Sequence, residues 1–219
     1  MNIRWYGQSA FSIRGKENDI FIDPFGDVSA FSGHGVTWNY PAIEDANAEL
    51  LLITHDHLDH NGVEVVGGEP VLIAQAGTHE SPIGEVVGIA SEHDDVAGTQ
   101  RGANVIFRFA LDGITFAHFG DFGQRALRPE QRAALGDVDV VFFPAGGGPT
   151  TPVAEAATLL RELAPRVVIP MHYRTPQIGF LDPPEPFFDA LGFPVREASG
   201  AEAELELPAK PEVLKLTLT

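Results

Sequence analysis

Cysteine is absent from the 219 residues. That absence removes disulfides, thiol nucleophiles and thiolate metal ligands together, so any metal ion must be held by His, Asp or Glu. Basic residues are scarce: 14 Lys and Arg stand against 31 Asp and Glu, a formal net charge of −17. Affinity for nucleic acid rests on neutralising phosphates with Lys and Arg, so this balance opposes a nucleic-acid partner. Long apolar runs are missing too. Residues 50–53 and 138–143, the latter broken by Asp139, fall far short of the roughly 20 apolar residues that span a bilayer. The start, Met1-Asn2-Ile3-Arg4-Trp5-Tyr6, has no basic segment leading into an apolar one, so no export signal is visible. No membrane partner is expected, and the cytoplasm is the default location.

What is present suits one folded domain over residues 1–219. Hydrophobic residues make up 44% of the chain, enough apolar material for a core. No repeat, low-complexity tract or polar linker divides it. Short apolar or alternating segments predict strands over 3–6, 10–13, 20–22, 50–54, 71–74, 86–90, 104–110 and 115–118. Asp112-Gly113 reads as the hairpin turn between the last two. A helix is expected over 153–163, with Thr151 as N-cap and Pro152 at the first helical position. Two more are expected over 129–135 and 184–191, alternating with strands over 138–143 and 167–170. A strand over 213–218 closes the chain. Strands first, then helix–strand alternation, fits an α/β protein with two sheets stacked face to face and helices outside. Residues 23–40, rich in Gly, Ser and Phe, read as a loop of a length usually tied to function or mobility.

The chemistry concentrates in Thr54-His55-Asp56-His57-Leu58-Asp59-His60-Asn61-Gly62. Three histidines and two aspartates fall within six residues, directly after an apolar strand. Imidazole nitrogen and carboxylate oxygen are the donors that zinc and similar cations take. His55 and His57 alternate, so an extended segment points both to one side. Asp59 and His60 follow the turn and can address a second ion beside the first.

His-x-His-x-Asp-His after a hydrophobic strand resembles the signature of the metallo-β-lactamase superfamily, and the resemblance runs over nearly the whole chain. Ile22-Asp23-Pro24 is similar to the early strand-end Asp that supports the ligands in relatives. Ala90-Ser91-Glu92-His93 resembles the strand-end His of the first metal site, and Gly120-Asp121 the aspartate that bridges both ions. Ile169-Pro170-Met171-His172-Tyr173 resembles the segment that carries the last histidine. The Pro-Met-His-Tyr ending and the compact size are similar, more narrowly, to the small bacterial branch that includes ascorbate-6-phosphate lactonase.

The resemblance implies an αββα sandwich of two mixed β-sheets with helices on the outer faces, and metals at one edge between the sheets. It implies His55, His57 and His93 on metal one, and Asp59, His60 and His172 on metal two, with Asp121 bridging. The cofactors would be two divalent ions, zinc foremost, with manganese or iron as alternatives. Asp59 and Asp121 would be the catalytic residues, serving a hydroxide shared by the ions that cleaves a small ester, lactone, thioester or phosphodiester. Relatives that open β-lactams commonly carry Cys or Ser at the place of Asp121, so antibiotic cleavage is disfavoured. Two other readings stay open. One is an iron-binding redox member, although flavin-linked di-iron relatives carry Glu at the place of His57 and need a further domain. The other is a non-catalytic, metal-stabilised regulatory protein, against which the complete ligand set speaks.

His118 is expected within its strand, facing away from Asp121, and His79 in an exposed loop. His34, in the long loop, and Arg174, just after His172, are candidate substrate contacts. Gly146-Gly147-Gly148 could offer N–H groups to a phosphate, but reads first as a tight turn between strand and helix. The substrate partner is expected to be a small anion. Two divalent ions outweigh the ligand aspartates locally, whereas the acidic surface repels a long polyanion. The oligomeric state is left open.

Overall fold

The computed structural model of the chain describes residues 1–28 and 37–218. The first half holds β1 (Asn2–Gly7), β2 (Ala10–Arg14), β3 (Asp19–Ile22), β4 (Ala46–Asn47), β5 (Leu50–Leu52), β6 (Val66–Gly67) and β7 (Val71–Ile73). The chain continues with β8 (Gly77–Ser81), β9 (Gly84–Glu92), β10 (Ala103–Leu111) and β11 (Ile114–His118). Helices then alternate with strands: α1 (Pro129–Leu135), β12 (Val140–Pro144), α2 (Val153–Leu163), β13 (Val167–Met171) and α3 (Glu185–Leu191). The last strands are β14 (Val195–Glu197), β15 (Glu202–Glu204) and β16 (Glu212–Lys215).

Two mixed sheets result, as expected for a metallo-β-lactamase fold. One runs β15-β1-β2-β3-β5-β7 and the other β14-β16-β13-β12-β11-β10-β9-β8, with β4 and β6 forming a small separate pair. In the first, β1 to β3 are antiparallel and β5 and β7 join parallel. In the second, β8 to β11 are antiparallel, and β12, β13 and β16 add on parallel.

The alternation of side chains along a strand explains how the first sheet is covered on both faces. Phe11, Ile13, Ile20, Ile22, Leu50 and Leu52 join the main core, together with β10 to β13 and the helices. The residues between them, Ala10, Phe21 and Leu51, turn to a second cluster with Phe25, Tyr40 and Leu181. On the second sheet α2 buries Ala156, Ala157, Leu159, Leu160 and Leu163, one stripe of an amphipathic helix. Phe187 of α3 stacks on Phe143 of β12, ring centroids 6.4 Å apart. Among the described residues the helices thus pack on the eight-stranded sheet.

Several expectations need correction. Thr151 does not cap α2: the N-cap is Pro152, and the Thr151 hydroxyl donates instead to the carbonyls of Phe122 and Gln124 at 2.8 and 2.9 Å. The Thr151 N–H also donates to the Phe122 carbonyl at 3.0 Å, so backbone and hydroxyl together tie Thr151 to the 122–124 segment instead of the helix end. His79 is not in a loop but on β8, half-buried, its Nε2 3.0 Å from the Gln75 carbonyl. The hairpin reads as expected, with Asp112 and Gly113 at φ 50° and 82° between Leu111 and Ile114.

Candidate metal centre

Five strand ends and one turn converge at one edge of the sandwich. Asp23 follows β3, residues 54–60 follow β5, His93 follows β9, Asp121 follows β11 and His172 follows β13. The turn between β1 and β2 adds Gln8 and Ser9. Asp23, His172 and Gln8 have φ of 49°, 50° and 47°. Such left-handed backbone is uncommon for residues with a side chain and gathers at functional sites. Gly120, at φ 55°, has no space for a side chain: a Cβ there would meet Asn104 Oδ1 and lie 2.6 Å from Thr54 Oγ1.

Three donor sets form a continuous row, with donor atoms inside each set within 4.8 Å of one another. The first is His55, His57 and His93, the second His55, His60 and Asp121, and the third Asp59, His60 and His172. The first and third are the two sets that the resemblance implies, and Asp121 sits in the set that links them. Asp121 Oδ2 is the hub, 3.1 Å from His93 Nε2, 3.1 Å from His172 Nε2, 3.4 Å from His60 Nε2 and 3.9 Å from His55 Nε2. All seven residues are at most 9% exposed except His57, which opens to solvent.

Asp23 fixes which nitrogens face the row. Its Oδ2 lies 2.9 Å from His60 Nδ1 and accepts the Thr54 hydroxyl at 2.6 Å, while Oδ1 accepts the Thr54 N–H at 2.7 Å. Because its proton goes to Asp23, Thr54 Oγ1 can only accept from His55 Nδ1, 3.0 Å away. Both imidazoles therefore carry a proton on Nδ1 and turn Nε2 into the cluster, the nitrogen that a metal ion would take.

The electrostatics suit a cation. Burial, then the neighbouring histidines His60, His57 and His93, hold His55 well below the usual imidazole range, against the pull of Asp121. Burial and His93 lower His57. Both are neutral donors. Burial also works against a charge on His60, but Asp121, Asp59 and Asp23 overcome it and hold its pKa well above the usual range. For Asp121 burial would raise the pKa, yet His172 and His60 bring it well below the usual carboxylate range. His60 Nε2 is buried without a hydrogen-bond partner among the described residues, facing Asp121 and, at 3.6 Å, Asp59 Oδ2. The raised pKa means that without a metal this nitrogen holds a proton between the two carboxylates, a place that calls for positive charge. A divalent ion fits that position.

Three polar residues that the sequence reading missed support the carboxylates. Gln8 Nε2 donates to Asp59 Oδ2 at 3.0 Å, and Ser9 Oγ lies 3.4 Å from Asp121 Oδ1. Asn104 Oδ1 accepts the Asp121 N–H at 3.1 Å, while its Nδ2 donates to Ser91 Oγ and the Phe119 carbonyl. The one available signal was a Gln-Ser pair in a short turn between two apolar strands.

His118 stands on β11 beneath the cluster with both ring nitrogens in use. Nε2 donates to the Ser9 carbonyl at 3.1 Å and Nδ1 accepts the Gly120 N–H at 3.2 Å, so no lone pair is left for a metal. Burial, against the pull of Asp23, lowers its pKa to about 4.

A hollow of about 440 Å³ opens over the row, walled by Asp56, Leu58, Arg101, Pro149 and Phe180. Arg174 is elsewhere: exposed, it donates from Nε to the Leu181 carbonyl at 2.6 Å and lines a different hollow with Trp5 and Lys215. His34 lies outside the described residues. Gly146 to Gly148 form a tight turn, with Gly146 N–H donating to the His172 carbonyl at 3.1 Å, and only the following Pro149 reaches the hollow.

Residues 2–172 match the family model of the beta-lactamase superfamily domain. The chain is 31% identical over 202 residues to a UPF0173 metal-dependent hydrolase of Thermococcus kodakarensis, covering 80% of this chain and 85% of that one. A second UPF0173 metal-dependent hydrolase, from Pyrobaculum neutrophilum, is 30% identical over 99% of this chain and 100% of its own. Among solved structures, the fold is similar to a proposed Zn-dependent hydrolase of the metallo-beta-lactamase superfamily from Thermotoga maritima. The TM-score is 0.80 at 26% identity, over 100% of this chain and 99% of that one. No helix among the described residues is long and apolar enough to cross a membrane.

Proposed function

The chain belongs to the UPF0173 family of the metallo-β-lactamase superfamily, and from that premise we propose that it is a hydrolase using two divalent metal ions, zinc foremost. The observation that carries this reading is the row of three linked donor sets, in which His55 and His60 are each shared by two sets. His55, His57 and His93 would hold one ion and Asp59, His60 and His172 the other, with Asp121 between them. Ions bound there lower the pKa of water to about 7 and polarise a carbonyl or phosphoryl oxygen.

The chain's own groups do the rest. Asp59, steadied by Gln8, holds the attacking water by a hydrogen bond and faces it toward the substrate. Asp121 keeps the imidazoles of both sets aimed at one place. Asp23 holds His55 and His60 in the tautomer that binds metal. The hollow above, within the usual size of small-molecule sites, admits a metabolite and not a folded polymer. A small ester, lactone, thioester or phosphodiester, with an anionic group, fits this arrangement. The likeness of Pro170-Met171-His172-Tyr173 to the branch that includes ascorbate-6-phosphate lactonase puts lactones first among the bonds to try.

The test is a panel of chromogenic esters, lactones, thioesters and phosphodiesters with protein loaded with zinc, manganese or iron. At least one bond class should turn over, stop on chelation and resume when metal is restored. Failure of every class with every metal would overturn the reading.

A further inference from the structure

Of the described residues that wall the metal hollow, Arg101 is the single Lys or Arg. Its position follows from Asp94, the residue after His93. Asp94 Oδ1 accepts the N–H groups of Val96 and Gly98 at 3.0 and 2.7 Å, and Oδ2 those of Gln100 and Arg101 at 2.9 and 2.8 Å. One carboxylate thus gathers the whole connection between β9 and β10, and His93 N–H closes it by donating to the Gly102 carbonyl at 3.1 Å. The backbone of Arg101 is held beside His93. Its side chain is exposed, and among the described residues its guanidinium enters no hydrogen bond or ion pair.

Two other arginines, Arg125 and Arg128, are occupied. Arg125 pairs with Asp95 and Glu155, and Arg128 with Glu92 and Glu130. Asp56, the one acidic residue outside the donor row among the described residues of the wall, already accepts from the Asn61 side-chain amide. The same hollow is walled by Leu58 and Phe180, 55% and 51% exposed. Apolar side chains that line a pocket beside a few polar groups can receive an apolar part of a ligand.

We propose that Arg101 is the specificity-determining residue that binds an anionic group of the substrate, while Leu58 and Phe180 receive an apolar body. The substrate class is then a small amphiphilic anion, its carboxylate or phosphate on one side of the scissile bond. This rests on the hydrolase reading above and deepens it. A planar guanidinium forks onto either oxyanion, and lysine supplies the charge without the fork.

The test compares two substrates with the same scissile bond and leaving group, one carrying a carboxylate or phosphate and the other its neutral methyl-ester isostere. Metal-loaded wild type should prefer the charged member. Arg101→Gln should lose about ten- to hundredfold in kcat/KM on that member, chiefly through KM, the size expected for a hydrogen bond to a charged group. The neutral member should change less than about threefold, and Arg101→Lys should recover part of the loss. The carboxylate and phosphate arms tell which oxyanion is bound. A preference that survives Arg101→Gln, or that vanishes in Arg174→Gln instead, would overturn the proposal.

A calorimetric titration with phenylphosphonate, which has a ring and an anion but no bond to hydrolyse, separates this proposal from the hydrolase reading. Arg101→Gln should weaken its binding about tenfold or more, whether or not any substrate turns over. Phe180→Ser should remove the advantage of phenylphosphonate over inorganic phosphate. Unchanged binding in Arg101→Gln would sink the anion site even in an active enzyme.

Discussion

Asp23 Oδ2 lies 2.9 Å from His60 Nδ1, both side chains fully buried beneath the candidate metal centre. The same carboxylate receives the Thr54 hydroxyl that accepts from His55. One residue that touches no donor position therefore orients a histidine of each proposed metal set. Replacing it with Asn leaves one accepting oxygen where there were two, so an amide NH2 faces either the Thr54 N–H or the pair of His60 Nδ1 and the Thr54 hydroxyl. Loss of such a supporting partner typically costs ten- to a hundredfold in metal affinity. Competition of Asp23→Asn against a chromogenic chelator should show a fall of about that size, with the circular dichroism spectrum retained. Unchanged affinity would mean that His55 and His60 are oriented by packing alone.

His118 is predicted to affect acid stability rather than metal content. Its folded pKa is about 4, below the usual 6.5. Across that window the unfolded chain binds a proton that the folded protein does not, so stability falls as pH falls from 6.5 to 4. The full contribution at this site is about 3 kcal/mol. In urea titrations of the metal-free protein, His118→Asn should flatten the decline over that window, while elemental analysis finds the metal content of the replete protein unchanged. An equally steep decline, or lost metal, would contradict the role assigned to it.

Gly120 sets a sharper packing limit. Any side chain there collides with Asn104 and Thr54, which respectively hold the Asp121 backbone and Asp23. Gly120→Ala combines a strained φ with overpacking, and each costs about 1–2 kcal/mol or more. A loss of about 2–4 kcal/mol in urea unfolding is expected, with weaker metal retention. A loss below about 1 kcal/mol would mean that the loop shifts freely.

The row of donors was legible because each member ends a strand, and strand ends with His or Asp after an apolar run are local features of the sequence. The sheets were legible through alternation, as in Ile20-Phe21-Ile22, whose residues divide between two cores. Strands β8, β14 and β15 were not, because Gly77–Ser81, Val195–Glu197 and Glu202–Glu204 are short and polar or charge-rich. The partner of β15 is β1, about the whole chain away. Gln8 and Ser9 went unseen because a turn becomes a site only when a distant loop packs over it. Arg174 drew notice for its closeness to His172 in sequence, yet its guanidinium goes to the Leu181 carbonyl. The residue at the hollow is Arg101, carried there by Asp94 through four backbone hydrogen bonds that no spacing rule foretells.

The central claim is that the seven donors hold two ions joined through Asp121. The direct measurement is the number of metal equivalents bound per chain, by elemental analysis of metal-replete, desalted protein, in wild type and in Asp121→Ala. Two equivalents in the wild type, falling to one or fewer in Asp121→Ala together with the hydrolytic activity, is the result this account predicts. One equivalent in both proteins, with activity unaffected by the substitution, would contradict it.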